Sequence, residues 1–238
     1  MQVLAPAKIN LSLKILGPRS DEFHEIETLI APISLYDELK IESGILIELK
    51  KKIPQGAGLG GGSSDAASTL MALNELFEAK LTREALAKMA EGIGSDVPFF
   101  IFQSAAICRG RGELVSPIKL RKPLFILLLK PQFGVSTAWA YQRWRGAREI
   151  PGVSYAAQEF AGRTFLNDLE RSVFEKFVFL AQLKVWLLEQ SEVEVALMSG
   201  SGSTVFAVMR ERADARQLAK RAKAALDPEL WTCACETL

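Results

Sequence analysis

Phosphate chemistry needs backbone that can lie directly against an anion, and residues 54–67 supply it: Pro-Gln-Gly-Ala-Gly-Leu-Gly-Gly-Gly-Ser-Ser-Asp-Ala-Ala. Gly56, Gly58, Gly60, Gly61 and Gly62 are followed at once by Ser63 and Ser64. Without Cβ atoms the chain can reach positive φ and turn successive N–H groups onto one anion; a helix starting here adds its partial positive charge. Three other places could carry chemistry. Asp96, in Gly94-Ser95-Asp96-Val97-Pro98, stands just before the apolar stretch Val97 to Phe102. A carboxylate at the mouth of an apolar wall has a tunable proton affinity, although by residue type alone it also suits a turn or a cap. Lys8 and Asn10 stand two apart, hence on one face of a strand; on type alone Lys8 reads as a surface lysine. A second glycine turn, Ser199-Gly200-Ser201-Gly202-Ser203-Thr204, lies between two strand-like runs and reads equally well as a hairpin connection.

The elements that must hold these residues are legible around them. Ile45, Ile47 and Leu49 alternate with Leu46, Glu48 and Lys50, which predicts a strand ahead of the loop. Leu70, Leu73 and Leu76 or Phe77 recur at helical spacing behind it. A Gly/Ser linker would not run from apolar strand into amphipathic helix. Gly56-Ala-Gly58-Leu-Gly60-Gly61 has the GxGxxG pattern, but a dinucleotide fold wants an acid ending a second strand about twenty positions on. Leu81-Thr82-Arg83-Glu84-Ala85 reads there as a helix cap and first turn instead. A P-loop needs Gly-Lys-Ser/Thr, and no lysine follows these glycines.

Elsewhere, Val3 to Leu16 predicts a strand interrupted by Pro6, and Thr28 to Leu35 a strand ended by a turn at Tyr36-Asp37-Glu38. Thr82 caps a helix to about Glu91 that packs Leu86, Met89 and Ala90. Leu124 to Leu129 is a continuous apolar run, the mark of a strand buried on both faces. Ser172 to Gln190 predicts a single helix, and Val193 to Leu197 and Val205 to Met209 predict strands. Helices and strands mix without strict alternation, so the fold class is α+β.

Composition narrows the function classes. Lys and Arg number 29 against 28 Asp and Glu, which argues against a nucleic-acid or membrane surface. The basic residues of Arg212 to Lys223 alternate with apolar ones, as on a solvated helix face. Cys108, Cys233 and Cys235 show no metal or redox spacing, and one histidine argues against a histidine metal site. No apolar run reaches transmembrane length and Met1-Gln2-Val3 leads straight into a strand, so a soluble, cytoplasmic protein is expected.

The loop, Pro54-x-Gly-Ala-Gly-Leu-Gly-Gly-Gly-Ser-Ser, resembles the ATP loop of the GHMP kinases, a superfamily of small-molecule kinases. Gly60-Gly61-Gly62-Ser63-Ser64-Asp65-Ala66-Ala67 is most similar to the branch whose acceptor is 4-diphosphocytidyl-2-C-methyl-D-erythritol, in the non-mevalonate isoprenoid pathway. The resemblance implies an N-terminal ATP-binding domain over residues 1–131 and a C-terminal substrate and lid domain over 132–238, with the active site in the cleft between them. It implies ATP and Mg²⁺ as cofactors and phosphorylation of the acceptor's 2-hydroxyl. Pro54, Gln55, Gly56, Ala57, Gly58, Leu59, Gly60, Gly61, Gly62, Ser63 and Ser64 would bind ATP, with Lys51 near the adenine and Ser64 a candidate Mg²⁺ ligand. Lys8 matches the family's Pro-Ala-Lys-x-Asn lysine beside the acceptor hydroxyl, and Asp96 the aspartate of Gly-x-Asp-Val-Pro, the general base. Asn10, Phe23, His24, Phe165, Gly200 and Ser201 would contact the cytidyl substrate, and the Ser199 to Thr204 turn would help close the site.

This chain departs from the pattern in two places. Glu22 and Phe23 replace the Gly-Tyr of Asp-Gly-Tyr-His, so stacking survives without a hydroxyl. Between Asp37 and Lys51 the family carries a further helix with an adenine-side asparagine, where Ile41-Glu42-Ser43-Gly44 here passes directly into Ile45 to Leu49. Two other readings stand beside the first: a GHMP kinase for homoserine, mevalonate or a sugar, and a non-catalytic nucleotide-binding regulator. Phe23, His24 and Phe165 speak against the former, since those acceptors have no base to stack. Lys8 and Asp96 speak against the latter, since a binder needs no base beside a cation.

Overall fold

Two long strands form the spine of the molecule. The computed structural model describes residues 1–42 and 46–238. β1 (Gln2–Pro18) and β2 (His24–Glu42) pair antiparallel, with register shifts at Pro6/Ala7, Asn10/Ser12 and Ile15/Gly17. Pro6 does not interrupt β1: it sits at the first of these irregularities, where a missing N–H is tolerated. The turn expected at Tyr36-Asp37-Glu38 is likewise strand. Asp37 is fully buried there, and its carboxylate accepts the N–H of Ile53 at 2.8 Å. What reads as a turn acid is an internal acceptor for the backbone entering the glycine loop.

β3 (Leu46–Lys50) pairs with β2 close to where alternation predicts it; the Ser43-Gly44 junction lies outside the described residues. The glycine loop then runs into α1 (Gly61–Leu76), followed by α2 (Arg83–Ala90) and α3 (Val97–Phe102). Thr82 caps α2 by accepting the Ala85 N–H at 3.2 Å. Leu86 and Ala90 pack inward as expected, whereas Met89 is exposed. The apolar stretch after Asp96 is the short buried helix α3, with Pro98 in its first turn, where no N–H is missed.

β4 (Ala106–Gly110), β5 (Leu114–Pro117), β6 (Phe125–Lys130), α4 (Thr137–Arg143), β7 (Gln158–Phe160) and β8 (Arg163–Asn167) follow. The helix expected over 172–190 is two, α5 (Glu170–Lys176) and α6 (Val178–Leu188). Phe177 breaks them apart, leaving helical geometry to stack on Phe133 with ring centroids 5.2 Å apart. β9 (Val193–Met198), β10 (Val205–Met209), α7 (Ala215–Ala225) and β11 (Trp231–Glu236) complete the chain.

One sheet has the order β5-β4-β2-β1-β8-β7 with β3 on β2, and the other runs β11-β6-β10-β9. The halves of the chain exchange strands. β6 precedes residue 131 yet lies at the heart of the second sheet, while β8 pairs parallel to β1 in the first. A border at 131 therefore does not follow the sheets. Ile9, Leu11, Ile33, Leu128, Leu197 and Phe206 fill the space between the sheets. Leu127, Leu129, Met198 and Ala207 face the other way, onto α5, α6 and α7. Burial on both faces explains the unbroken apolar run of β6.

Candidate active site

A cleft of about 1000 Å³ is lined by β1, the glycine loop, the start of α1, the loop before α3, and α4. β1 contributes a chain of buried polar groups. Lys8 Nζ donates to Asn10 Oδ1 at 2.6 Å, Asn10 Nδ2 to Thr28 Oγ1 at 2.8 Å, and Thr28 Oγ1 to the Ser12 carbonyl at 2.6 Å. Lys8 is thus a buried cation, opposite to its surface reading by type, and Asp96 Oδ2 lies 3.4 Å from its Nζ. The Asp96 side chain is 37% exposed and makes no capping bond to α3, so its carboxylate faces the cleft.

The glycine loop docks on both sides of this pair. Lys8 N–H donates to the Leu59 carbonyl at 2.9 Å, fixing loop to strand. The first helical bond of α1 is Ser64 N–H to Gly60 at 2.9 Å, which leaves the N–H groups of Gly61, Gly62 and Ser63 for an anion. Behind the loop lies the second glycine turn. Ser199 Oγ donates to the Gly58 carbonyl at 3.0 Å and Thr204 N–H to that of Ala57 at 3.2 Å. A Cβ on Gly58, whose φ is +72°, would lie 2.2 Å from the Ser199 carbonyl oxygen. This turn therefore braces the glycine loop, and Gly200 and Ser201 form cleft wall. It is held in turn by Asn167 Nδ2, which donates to the Met198 and Gly200 carbonyls at 2.7 and 2.8 Å. Glu170 accepts the Met198 N–H at 2.9 Å and is itself paired, fully buried, with Lys184 at 2.5 Å.

At the end of the cleft next to β3, Lys51 Nζ is shared between Asp37 and Asp65. Burial opposes its charge, but the two carboxylates outweigh that and hold the ammonium above its usual range. Burial pushes the Asp65 carboxyl up, with Lys51 only partly offsetting it. Asp65 Oδ1 is buried without a hydrogen-bond partner, an acceptor that suits a cation, and Ser63 also lines the cleft. Among the described residues no cluster of three or more His, Cys, Asp or Glu could hold a metal.

At the opposite end His24 lies against Tyr141, centroids 5.3 Å apart, and edge-on to Trp144 at 5.9 Å. Burial, with the nearby Arg145, pulls the His24 pKa below 6.5, so the imidazole is neutral at pH 7. Burial and the Asp96 charge push the Tyr141 phenol far up, leaving it a neutral donor. Phe23 is exposed at the rim with the Arg111 guanidinium over its ring.

Of the residues expected here, Lys8, Asn10, Phe23, His24, Lys51, the run Pro54 to Ser63, Asp96, Gly200 and Ser201 all line the cleft. Two do not. Phe165 is fully buried between the sheets among Ile9, Leu128 and Phe206, because its phase on β8 turns it into the core. Ser64 is fully buried, its Oγ unpartnered and away from the cleft lining, whereas Ser63 and Asp65 line the cleft. Thr28, Asp65, Arg111 and Tyr141 line the cleft without having been anticipated. Asp65 adjoins the glycine loop in sequence, whereas Thr28, Arg111 and Tyr141 are brought here from other elements.

The sequence matches the GHMP kinases N terminal domain over residues 28–104 and the GHMP kinases C terminal domain over 156–227. It is 38% identical to the 4-diphosphocytidyl-2-C-methyl-D-erythritol kinase of Methylacidiphilum infernorum, with 95% of this chain and 93% of the relative covered. The chain belongs to the GHMP kinases. This GHMP kinase is also 36% identical to the enzyme of the same name from Citrifermentans bemidjiense, over 92% of the chain and 93% of the relative. A crystal structure of 4-(cytidine 5'-diphospho)-2C-methyl-D-erythritol kinase superposes with a TM-score of 0.82 at 33% identity, covering 100% of this chain and 99% of that one. The mevalonate kinase of L. major, in complex with R-mevalonate, shares the fold at a TM-score of 0.62 and 14% identity, over 100% of this chain and 95% of that one. The Methylacidiphilum alignment spans 273 positions against the 238 residues here, so at least 35 positions have no counterpart in this GHMP kinase. Among the described residues no helix is long and apolar enough to cross a membrane.

Proposed function

We propose that this GHMP kinase transfers the γ-phosphoryl group of ATP to the 2-hydroxyl of 4-diphosphocytidyl-2-C-methyl-D-erythritol, in isoprenoid precursor synthesis. The observation that carries the reading is the Lys8–Asp96 contact of 3.4 Å, set between the glycine loop and the aromatic end of the cleft. The names of its relatives support the acceptor.

The triphosphate lies on the free N–H groups at the start of α1, where partial positive charge and orphan donors coincide. Asp96 accepts the proton of the 2-hydroxyl as that oxygen attacks the γ-phosphorus, and ADP departs. Lys8, fixed by Asn10, lies 3.4 Å from Asp96 and offsets charge on the phosphoryl group in flight. Ser63 and Asp65 would hold Mg²⁺, which supplies charge neutralisation to the phosphates. The neutral His24 imidazole offers one donor and one acceptor to the cytosine edge, with the Tyr141 and Trp144 rings beside it. Three free cysteines, Cys108, Cys233 and Cys235, support a reducing, cytoplasmic setting.

ADP release, coupled to an indicator reaction, tests this with the cytidyl acceptor. Wild type should release ADP only when acceptor is present, and Asp96→Asn should lose about 10²–10⁴-fold in kcat. No acceptor-dependent release in wild type refutes the function. Unchanged turnover in Asp96→Asn removes that residue from the base role.

A further inference from the structure

On the cytidyl reading, the acceptor carries a diphosphate between its cytidine and its alcohol, and the cleft has to neutralise it. The acceptor end is lined by Asp21, Glu22 and Asp96, a poor setting for two more negative charges. Among the described residues, the lysines and arginines lining the cleft are Lys8, Lys51 and Arg111. Lys8 is engaged by Asn10 and Asp96, and Lys51 by Asp37 and Asp65. Arg111 is held more loosely. Its ion pair is to Glu113 Oε1 at 4.0 Å, while Glu113 Oε2 accepts the Arg111 backbone N–H at 2.6 Å.

The local structure is built to present this side chain. Arg111 occupies the β4–β5 connection, flanked by Gly110 at φ +72° and Gly112 at φ +113°. At a φ of +72° an L side chain on residue 110 would be strained, so glycine suits this turn. The site of a Cβ on Gly112 is 3.7 Å from Asp96 Oδ1, which docks the turn against the transfer point. The guanidinium carbon then rests 4.7 Å from the Phe23 centroid, on the side of the cleft toward His24.

We propose that Arg111 binds the diphosphate of the cytidyl acceptor, with Phe23 and the glycine-flanked turn holding its guanidinium between the base site and Asp96. This role rests on the acceptor being the cytidyl compound. A planar five-donor fork suits bidentate contact with phosphate oxygens, which a lysine cannot reproduce. Phe23 then serves the acceptor by orienting Arg111, since that cation covers one face of its ring.

Calorimetric titration of cytidine and of CDP, with ADP present to occupy the glycine loop, tests the assignment in wild type, Arg111→Gln and Arg111→Lys. Wild type should bind CDP about 10- to 100-fold more tightly than cytidine, the range for charge-assisted contacts. Arg111→Gln should abolish that difference with cytidine affinity unchanged, and raise the acceptor KM with kcat near wild type; Arg111→Lys should recover part of it. A CDP preference that survives Arg111→Gln overturns the proposal and leaves the acceptor reading standing. Equal weakening of CDP and cytidine also overturns it, by reducing Arg111 to a support for Phe23. If wild type binds neither, the cytidyl reading itself fails and the proposal with it.

Discussion

Replacing Gly58 by alanine should pry the two glycine turns apart. The new Cβ would sit 2.2 Å from the Ser199 oxygen, 3.0 Å from that of Gly202 and 3.2 Å from the Gly202 nitrogen. All three are backbone atoms, so relief requires loop and turn to separate by about 1 Å to reach ordinary contact. That movement breaks the bonds from Ser199 Oγ to Gly58 and from Thr204 N–H to Ala57, each worth about 1 kcal/mol. Holding alanine at a φ of +72° costs a further ~1–2 kcal/mol. The sum, about 3–4 kcal/mol, lowers Tm by about 10 °C in a chain of this size. If the loop shifts without unfolding, kcat/KM for ATP falls about 100-fold, the scale of a 1 Å misplacement. Gly62→Ala is the stability control, because nothing lies within 4 Å of a Cβ there and the residue is helical. Scanning calorimetry and coupled ADP release read the two outcomes. A Gly58→Ala protein within about 2 °C of Gly62→Ala and within about twofold of wild-type kcat/KM would refute the interlock.

Lys184→Met should cost about 3–5 kcal/mol, seen as lost urea resistance, because it strands Glu170 as a buried charge. Adding Glu170→Gln should restore most of it, since the amide still accepts the Met198 N–H and is neutral; no recovery would show that the charge is not the cause. His24 is the only histidine, so its ring-proton NMR signal is unambiguous, and its titration midpoint should lie below 6.5. The unfolded chain then binds more protons between that midpoint and 6.5, so the His24 contribution to stability is present above 6.5 and lost as pH falls through the window. A midpoint at or above 6.5 contradicts the burial argument. Burial, with Asp96, pushes the Cys108 thiol up to about 12, so native protein at pH 8 should leave it unalkylated by mass spectrometry. Labelling as fast as in urea would count against it.

The parts of the site written in contiguous sequence were legible: the glycine spacing, Lys8 and Asn10 two apart on β1, and Asp96 before its apolar helix. Thr28 and Arg111 were not, because β-pairing delivers them. Thr28 reaches Asn10 across the β1–β2 ladder, and the Arg111 turn reaches the site through the pairing of β4 with β2. Phe165 failed for a different reason. In a five-residue strand, a shift of one position decides core or cleft, and nothing local sets that phase. β6 announced itself by burying both faces, yet its place in the far sheet depends on partners from β10 and β11. Asp37 misled because an acid followed by polar residues signals a turn, whereas here it collects backbone donors in the interior.

Strand exchange between the halves also sets a schedule for synthesis. β6 leaves the ribosome about 60 residues before β9 begins, and both of its neighbours, β10 and β11, come later still. At about 5–20 residues per second the wait is several seconds. Throughout it Phe125-Ile126-Leu127-Leu128-Leu129 has no ladder on either side, an uncharged β-prone run with its edges bare. β1, the first strand made, meanwhile lacks β8. The newborn chain is thus most vulnerable between its two glycine turns, where a chaperone that shelters one short strand would have the greatest effect on yield.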